Sequence, residues 1–222
     1  MPAKRTYQEA CGIPRALDRV GERWSLLVVR ELMLGPKRFT DIRTGLPHVG
    51  PDVLSQRLRD LEESGVVVKR KLPPPAASQV YELTDWGREL NDVLIALGRW
   101  GARAPAAPEG CGMSFDAHLL SLVTLFDPSL AEGFETALQL QLGDERFRAV
   151  VAGDLTLERG EIDQPDAVIT TDHETLLALS HRRRELDEAE SAGDIEIEGD
   201  RDAAARFFGL FTLPEPALIE VG

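Results

Sequence analysis

Between residues 39 and 84 the spacing of apolar residues changes period, and that succession leaves few folds open. A short helical stretch, Thr40 to Arg43 with Thr40 as the expected N-cap, is cut by Gly45-Leu46-Pro47-His48-Val49-Gly50. Pro51, whose fixed φ suits a first helical position, opens a second helix that runs to Ser64 and stops at Gly65. At 100° per residue, Leu54, Leu58 and Leu61 share one stripe, while Asp52, Ser55, Gln56, Arg59 and Glu63 fall opposite. Beyond Gly65 the chain turns to β-branched residues and alternation. Val66 to Leu72 and Gln79 to Leu83 read as strands around the loop Pro73 to Ser78.

Helix, turn, helix and hairpin in this order make a winged helix. One face of the second helix anchors and the other is free to read a major groove. Gln56 has the two-sided amide that pairs with adenine and Arg59 the fork that pairs with guanine, each good pair discriminating by ~1–3 kcal/mol. Pro51, Asp52 and Ser55 share that face. Lys69, Arg70 and Lys71 bring three positive charges to the hairpin, where counterion release from phosphates would add sequence-independent affinity. Arg38 and Thr40, at the start of the shorter helix, are candidates for phosphate contacts. Helical clusters with a hairpin also dock proteins. The alternative reading is therefore a carrier or sensor of apolar ligands whose winged helix binds protein partners.

Four stretches resemble one family. Cys11 to Trp24, Leu32 to Phe39, Leu54 to Gly65 and Tyr81 to Thr84 are similar to the HxlR-type winged helix-turn-helix regulators of bacteria. The resemblance covers residues 11 to 103. It implies a transcriptional regulator, more usually a repressor, that binds a palindromic double-stranded DNA operator as a homodimer built from helices outside the reading head. Leu90, Val93, Leu94, Leu97 and Trp100 recur at helical spacing in a segment begun by Thr84 and ended near Gly101, a stripe wide enough to dimerise. The same residues would also serve for packing against Leu17, Trp24 and Leu27 within one subunit. Some members of the family sense oxidants or electrophiles through a cysteine ahead of the first helix, where this chain has Cys11. The plainer reading of Cys11 is a small buried apolar residue.

Charge divides the chain. Residues 1–104 hold 17 Lys and Arg against 13 Asp and Glu, a net +4, whereas residues 105–222 hold 8 against 25, a net −17. The acidic part is a poor partner for phosphates and would point away from them. We expect a winged helix and dimerisation domain over 1–104, a Pro- and Ala-rich linker over 105–113, and a second domain over 114–222. No 18-residue apolar run and no hydrophobic signal region after Met1 are present, so a cytoplasmic protein without a membrane span is expected. Cys11 and Cys111 are too few for a disulfide framework.

The second domain reads as α+β with a mostly antiparallel sheet. An apolar helix over Phe115 to Phe126 precedes strands at Leu138 to Leu142, Phe147 to Ala152, Leu155 to Glu158 and Ala167 to Thr171. Gly143-Asp144 and Gly153-Asp154 lie between the first three, which should form a meander. A helix at Glu174 to Ser180, a short strand from Ile195 leading to Asp200 at an N-cap position, and a Phe-rich helix at Ala203 to Phe211 follow. Ala167 to Asp172, Leu176 to Leu179, Ala192 to Asp200 and the final helix resemble the sterol carrier protein type 2 fold. The resemblance implies a space between helices and sheet for an apolar ligand. The inward candidates are Leu138, Leu140, Leu142, Phe147, Leu176, Leu177, Phe207, Phe208 and Phe211, all of which a filled core would equally require.

Enzymatic readings find no foothold. The chain has no Gly-rich nucleotide loop and no Ser between glycines as a nucleophile elbow. His48, His118, His173 and His181 are scattered along the sequence. Asp172-His173-Glu174 reads as a helix start and not as a metal cluster. Arg182 to Arg184 read as a solvated surface. No cofactor, metal or catalytic residue is expected.

Overall fold

The computed structural model describes residues 6–73, 78–105 and 113–217. The chain forms two compact units, Met1–Leu94 and Ile95–Gly222.

The first unit opens with α1 (Gly12–Val20) and α2 (Ser25–Leu32). The helix-turn-helix pair is α3 (Phe39–Gly45) and α4 (Pro51–Glu63). A hairpin of β1 (Val67–Lys71) and β2 (Gln79–Leu83) follows, then α5 (Asp85–Arg88) and α6 (Leu90–Gly101), within which the first unit ends at Leu94. Leu54, Leu58 and Leu61 of α4 are buried against Val28, Val29, Leu32, Ile42 and Val49. Each buried leucine is worth roughly 1.5–3 kcal/mol over its exposed state, which fixes the anchored face of α4.

Two expectations in this unit are corrected. Arg38, not Thr40, is the N-cap of α3, because the Asp41 carboxylate reaches back to accept the Arg38 backbone N–H at 3.1 Å. The segment from Thr84 is two helices, broken at Glu89. The Thr84 hydroxyl accepts Gly87 N–H at 2.9 Å and donates to Gly65 O at 2.7 Å, tying α5 to the exit of α4. Gly87 is needed there, since a Cβ would lie 2.1 Å from Val66 O.

The second unit starts with α7 (Phe115–Leu125) and a 3-10 turn at Pro128–Ala131. Its strands are β3 (Glu135–Leu142), β4 (Glu145–Ala152), β5 (Leu155–Arg159), β6 (Ala167–Thr171) and β7 (Ile195–Gly199). Helices α8 (His173–Ser180) and α9 (Leu186–Ala192) lie between β6 and β7, and α10 (Arg201–Phe208) follows β7. The sheet order is β5-β4-β3-β6-β7. β3–β4 and β4–β5 form the expected meander, and β6–β7 is also antiparallel. β3 and β6 run parallel, Leu138 opposite Ala167. The sheet is therefore mixed.

That parallel pair depends on how the chain returns across the sheet. Gln139, buried in the strand face, donates to Phe147 O at 3.0 Å and Gly160 O at 3.2 Å and accepts Ile162 N–H at 2.8 Å. Asp166 accepts from Ala137 N–H at 2.8 Å and Thr136 Oγ1 at 2.9 Å, which pins the entry to β6 and holds its carboxyl below the usual carboxylate range. The helices cover the face bearing Leu138, Leu140, Phe147, Ala149 and Ile169. At its edge the buried Asp116 of α7 takes both Arg159 terminal nitrogens, at 2.9 and 2.7 Å.

The last helix is shorter than the phenylalanine spacing suggests. α10 stops at Phe208, and Phe211 sits opposite Phe126 in an isolated bridge held by Thr212 N–H to Leu125 O at 2.9 Å. α9 has no counterpart in the sequence-based expectation, since Ala189 is the one residue of its polar sequence to be buried.

Candidate nucleic-acid interface

The geometry of α4 follows from its sequence. Gly50 is extended, Pro51 takes N1, and Gly65 reverses the chain at φ 75°. With the leucines anchored, Asp52, Gln56, Arg59 and Glu63 are exposed and Ser55 is half-buried. Their side chains are not independent. Gln56 Nε2 donates to Asp60 Oδ1 at 2.9 Å, and Arg59 Nη2 donates to Gln56 Oε1 at 2.8 Å. On its other oxygen Asp60 meets Arg57 Nη1 at 3.1 Å, and Arg57 reaches Glu22 at 3.5 Å.

The wing lies in the same unit. β1 and β2 pair from Val67–Leu83 to Lys71–Gln79. Lys37 extends this hairpin through backbone bonds with Tyr81 of 3.0 and 2.8 Å. Lys69 lies over the Tyr81 ring at 5.4 Å, Arg70 pairs with Glu82 and Lys71 is exposed. The three cations thus differ, and Arg70 already has an acidic partner. The tip, residues 74–77, lies outside the described residues. Arg38 and Thr40 are both exposed at the start of α3, and Arg38 Nε donates to Ser78 Oγ at 3.2 Å.

A buried polar cluster supports the reading head, and the sequence pattern does not announce it. Glu31 of α2 is fully buried, with Lys37 Nζ at 2.7 Å and Arg30 Nη2 at 2.8 Å. Gly45 closes over it, because a Cβ there would lie 2.1 Å from Glu31 Oε2. A glutamate inside an amphipathic run carries no signal of burial in one sequence. Arg57 and Asp60 also fall outside the sequence-based candidates, although Asp60 stands at i+4 from Gln56.

The proposed dimerisation residues divide. Leu90 and Leu94 pack against the first unit's core. Val93, Leu97 and Trp100 are exposed, Trp100 by 74%. Ile13 and Leu17 of α1 are exposed as well. A cleft of about 670 Å³ in the first unit is edged by Arg15, Arg19, Val20, Trp86, Leu90 and Val93. Cys11 is exposed at the N-cap of α1, which corrects the reading of a buried apolar residue.

In the second unit the nine apolar candidates are all buried. Phe207 makes edge-on contacts with Phe208 and Phe211 at 5.7 and 5.2 Å. Phe211 also edges a cleft of about 380 Å³ with Leu125, Leu130, His181 and Leu213. The histidines are not scattered in space as they are in sequence. His118 and His173 stack at 5.5 Å, with Phe115 edge-on to His173 at 5.6 Å. Burial first, and then the charge of His173, hold the His118 imidazole below its ordinary value, with Glu174 opposing. Burial, then Arg183 and His118, lower His181. The Asp172 side chain caps α8 by accepting Thr175 N–H at 2.8 Å, and among the described residues no three His, Cys, Asp or Glu side chains are grouped to hold a metal ion. No described helix is long and apolar enough to cross a membrane.

Three helices, a leucine-backed second helix of the turn and a paired wing define the winged helix-turn-helix class. Residues 19–107 match the HxlR-like helix-turn-helix family. The HTH-type transcriptional regulator YvaP of Bacillus subtilis is 37% identical over 86 residues, covering 39% of this chain and 80% of its own. The HTH-type regulator Rv3095 of Mycobacterium tuberculosis is 35% identical over 121 residues, covering 50% and 76%. Among solved structures, reduced YodB from B. subtilis is similar over 43% of this chain and 94% of its own, with 31% identity and a TM-score of 0.39. The chain belongs to the HxlR-like helix-turn-helix family. Residues 111–218 match the alkyl sulfatase C-terminal family.

Proposed function

We propose that the protein is a sequence-specific DNA-binding transcriptional regulator, a repressor in its usual action, which binds as a homodimer and places α4 in the major groove of each half-site. The observation that carries this reading is the exposed polar edge of α4, held by buried Leu54, Leu58 and Leu61, in a unit that also presents Lys69 and Lys71 on its hairpin. Pro51, Asp52, Ser55, Gln56 and Arg59 form the proposed groove face. Arg38, Thr40, Lys69, Arg70 and Lys71 are the proposed phosphate contacts. A gel shift with the DNA upstream of its own gene, titrated with salt, tests the reading. A shift that weakens linearly in log salt supports it. No shift at low salt with the reduced protein would favour the apolar-ligand carrier that docks proteins.

The homodimer reading is supported by exposed Val93, Leu97 and Trp100 on α6 and by the apolar cleft beside α1. The proposed functional division is the 105–113 segment, of which residues 106–112 lie outside the described residues, with DNA binding and dimerisation over 1–104. For residues 114–222 the proposed likeness is to sterol carrier protein type 2, supported by helices over one face of a largely antiparallel sheet. An apolar effector is proposed for it, with the cleft edged by Leu125, Leu130, Phe211 and Leu213 as a candidate place. Such an effector acts on DNA binding only by differing in affinity for two geometries of the dimer. Solvent extraction of the purified protein followed by mass spectrometry tests for it. The exposed thiol of Cys11 is the proposed oxidant sensor, and Cys11→Ser should abolish any loss of operator affinity under oxidant.

A further inference from the structure

The chain of polar contacts along α4 decides which of its side chains reads a base. Gln56 lies between a carboxylate, which only accepts, and a guanidinium, which only donates. Its amide is therefore oriented without ambiguity: nitrogen toward Asp60 at 2.9 Å, oxygen toward Arg59 at 2.8 Å. Reading adenine takes that same nitrogen and oxygen, both aimed at the base. Gln56 would have to give up two charge-assisted hydrogen bonds to do so. Arg59, in contrast, spends one of its five N–H donors on Gln56 and keeps enough for the O6 and N7 of guanine.

Asp60 is placed to organise and not to touch. It is half-buried at the root of the face, whereas Gln56 and Arg59 are exposed. Arg57, 3.1 Å from its second oxygen and itself largely buried, offsets its negative charge near phosphates. The relay thus runs from Arg57 through Asp60 and Gln56 to Arg59, each link spaced i to i+3 or i+4 on one helix.

We infer that α4 recognises guanine through Arg59, with Gln56 and Asp60 as positioning residues that aim its guanidinium, and that Gln56 makes no adenine contact of its own. The inference rests on the DNA-binding reading above. Selection from random duplexes, with the full chain and its variants, tests both separately. The wild type should enrich a site containing a guanine whose preference Arg59→Ala removes. Asp60→Asn allows the amide to turn either way, and exposed Gln56→Met removes it without touching the core. Each should cut that guanine preference about tenfold, the scale of one good base pair contact. No adenine position should change. Melting by circular dichroism checks the fold of Asp60→Asn, and Gln56→Met carries the test if that variant unfolds. Loss of an adenine preference in Gln56→Met, or a guanine preference indifferent to Gln56→Met or to folded Asp60→Asn, would overturn the inference. Failure of the wild type to retain any duplex at low salt would instead overturn the DNA-binding reading beneath it.

Discussion

Glu31 shows how much a single side chain can carry. Its carboxylate is buried with Lys37 and Arg30, so Glu31→Ala leaves cationic groups in a site built around a negative charge. Removing one partner of a buried pair costs about 3–5 kcal/mol, and chemical denaturation should show a loss of that size. Gly45→Ala pushes a methyl group onto the same carboxylate and should cost about 1–3 kcal/mol as overpacking, although alanine is the better helix former. The histidines of the second unit set a pH dependence. The folded-state values of His118 and His181 lie below their ordinary one near 6.5. The folded chain then binds fewer protons than the unfolded chain below that value, so stability rises with pH there. Their contribution is fully present above about pH 6.5 and is lost as pH falls toward the depressed values. Melts at pH 7.5 and 5.5 should differ, and His118→Gln should narrow the difference; equal melting of the wild type at both would refute it.

At the scale of elements, α4 and the wing behave as separable devices. Leu58 is buried to 1% exposure, so Leu58→Ala should cost about 2–5 kcal/mol. Lys69→Ala with Lys71→Ala should weaken all duplexes alike and lower the salt slope by about one for each phosphate no longer neutralised. Arg70→Ala should do less, since Glu82 already shares its charge. The bounds of α4 are readable because proline, glycine and the leucine stripe mark them directly, whereas β3 and β4 begin at Glu135 and Glu145, ahead of the expected Leu138 and Phe147. The start of α3 is not readable, because its cap is supplied by Asp41, three residues downstream, through the backbone of Arg38. The end of α10 is also hidden, because Phe207, Phe208 and Phe211 sit at helical spacing, yet Phe211 is buried by a bridge to Phe126. Apolar periodicity reports that a residue is buried, not by which backbone geometry.

At the scale of the molecule, the proposed homodimer would cover the exposed apolar residues of α6. Large exposed apolar patches mark interaction sites, and Trp100 and Val93 are more than half exposed. Leu97→Ala with Trp100→Ala should leave the fold intact and shift the sedimenting species from dimer to monomer. Operator affinity should fall with it, since each half-site would be bound alone. An unchanged sedimentation coefficient would remove α6 from the interface. The net +4 of residues 1–104 and −17 of residues 105–222 assign phosphate contact to the first part.

The amino-acid order by itself determined the winged helix, the polar face of α4, the meander and the charge division, because each is written in local periodicity or composition. Tertiary structure alone decided that Glu31 is buried, that His118 and His173 stack, that β3 and β6 run parallel, and that Gln56 is held between Asp60 and Arg59. Those outcomes depend on which groups fold into hydrogen-bonding distance. Spacing along the chain can place two residues on one helix face, but donor and acceptor geometry determines which atoms are already taken when a base arrives.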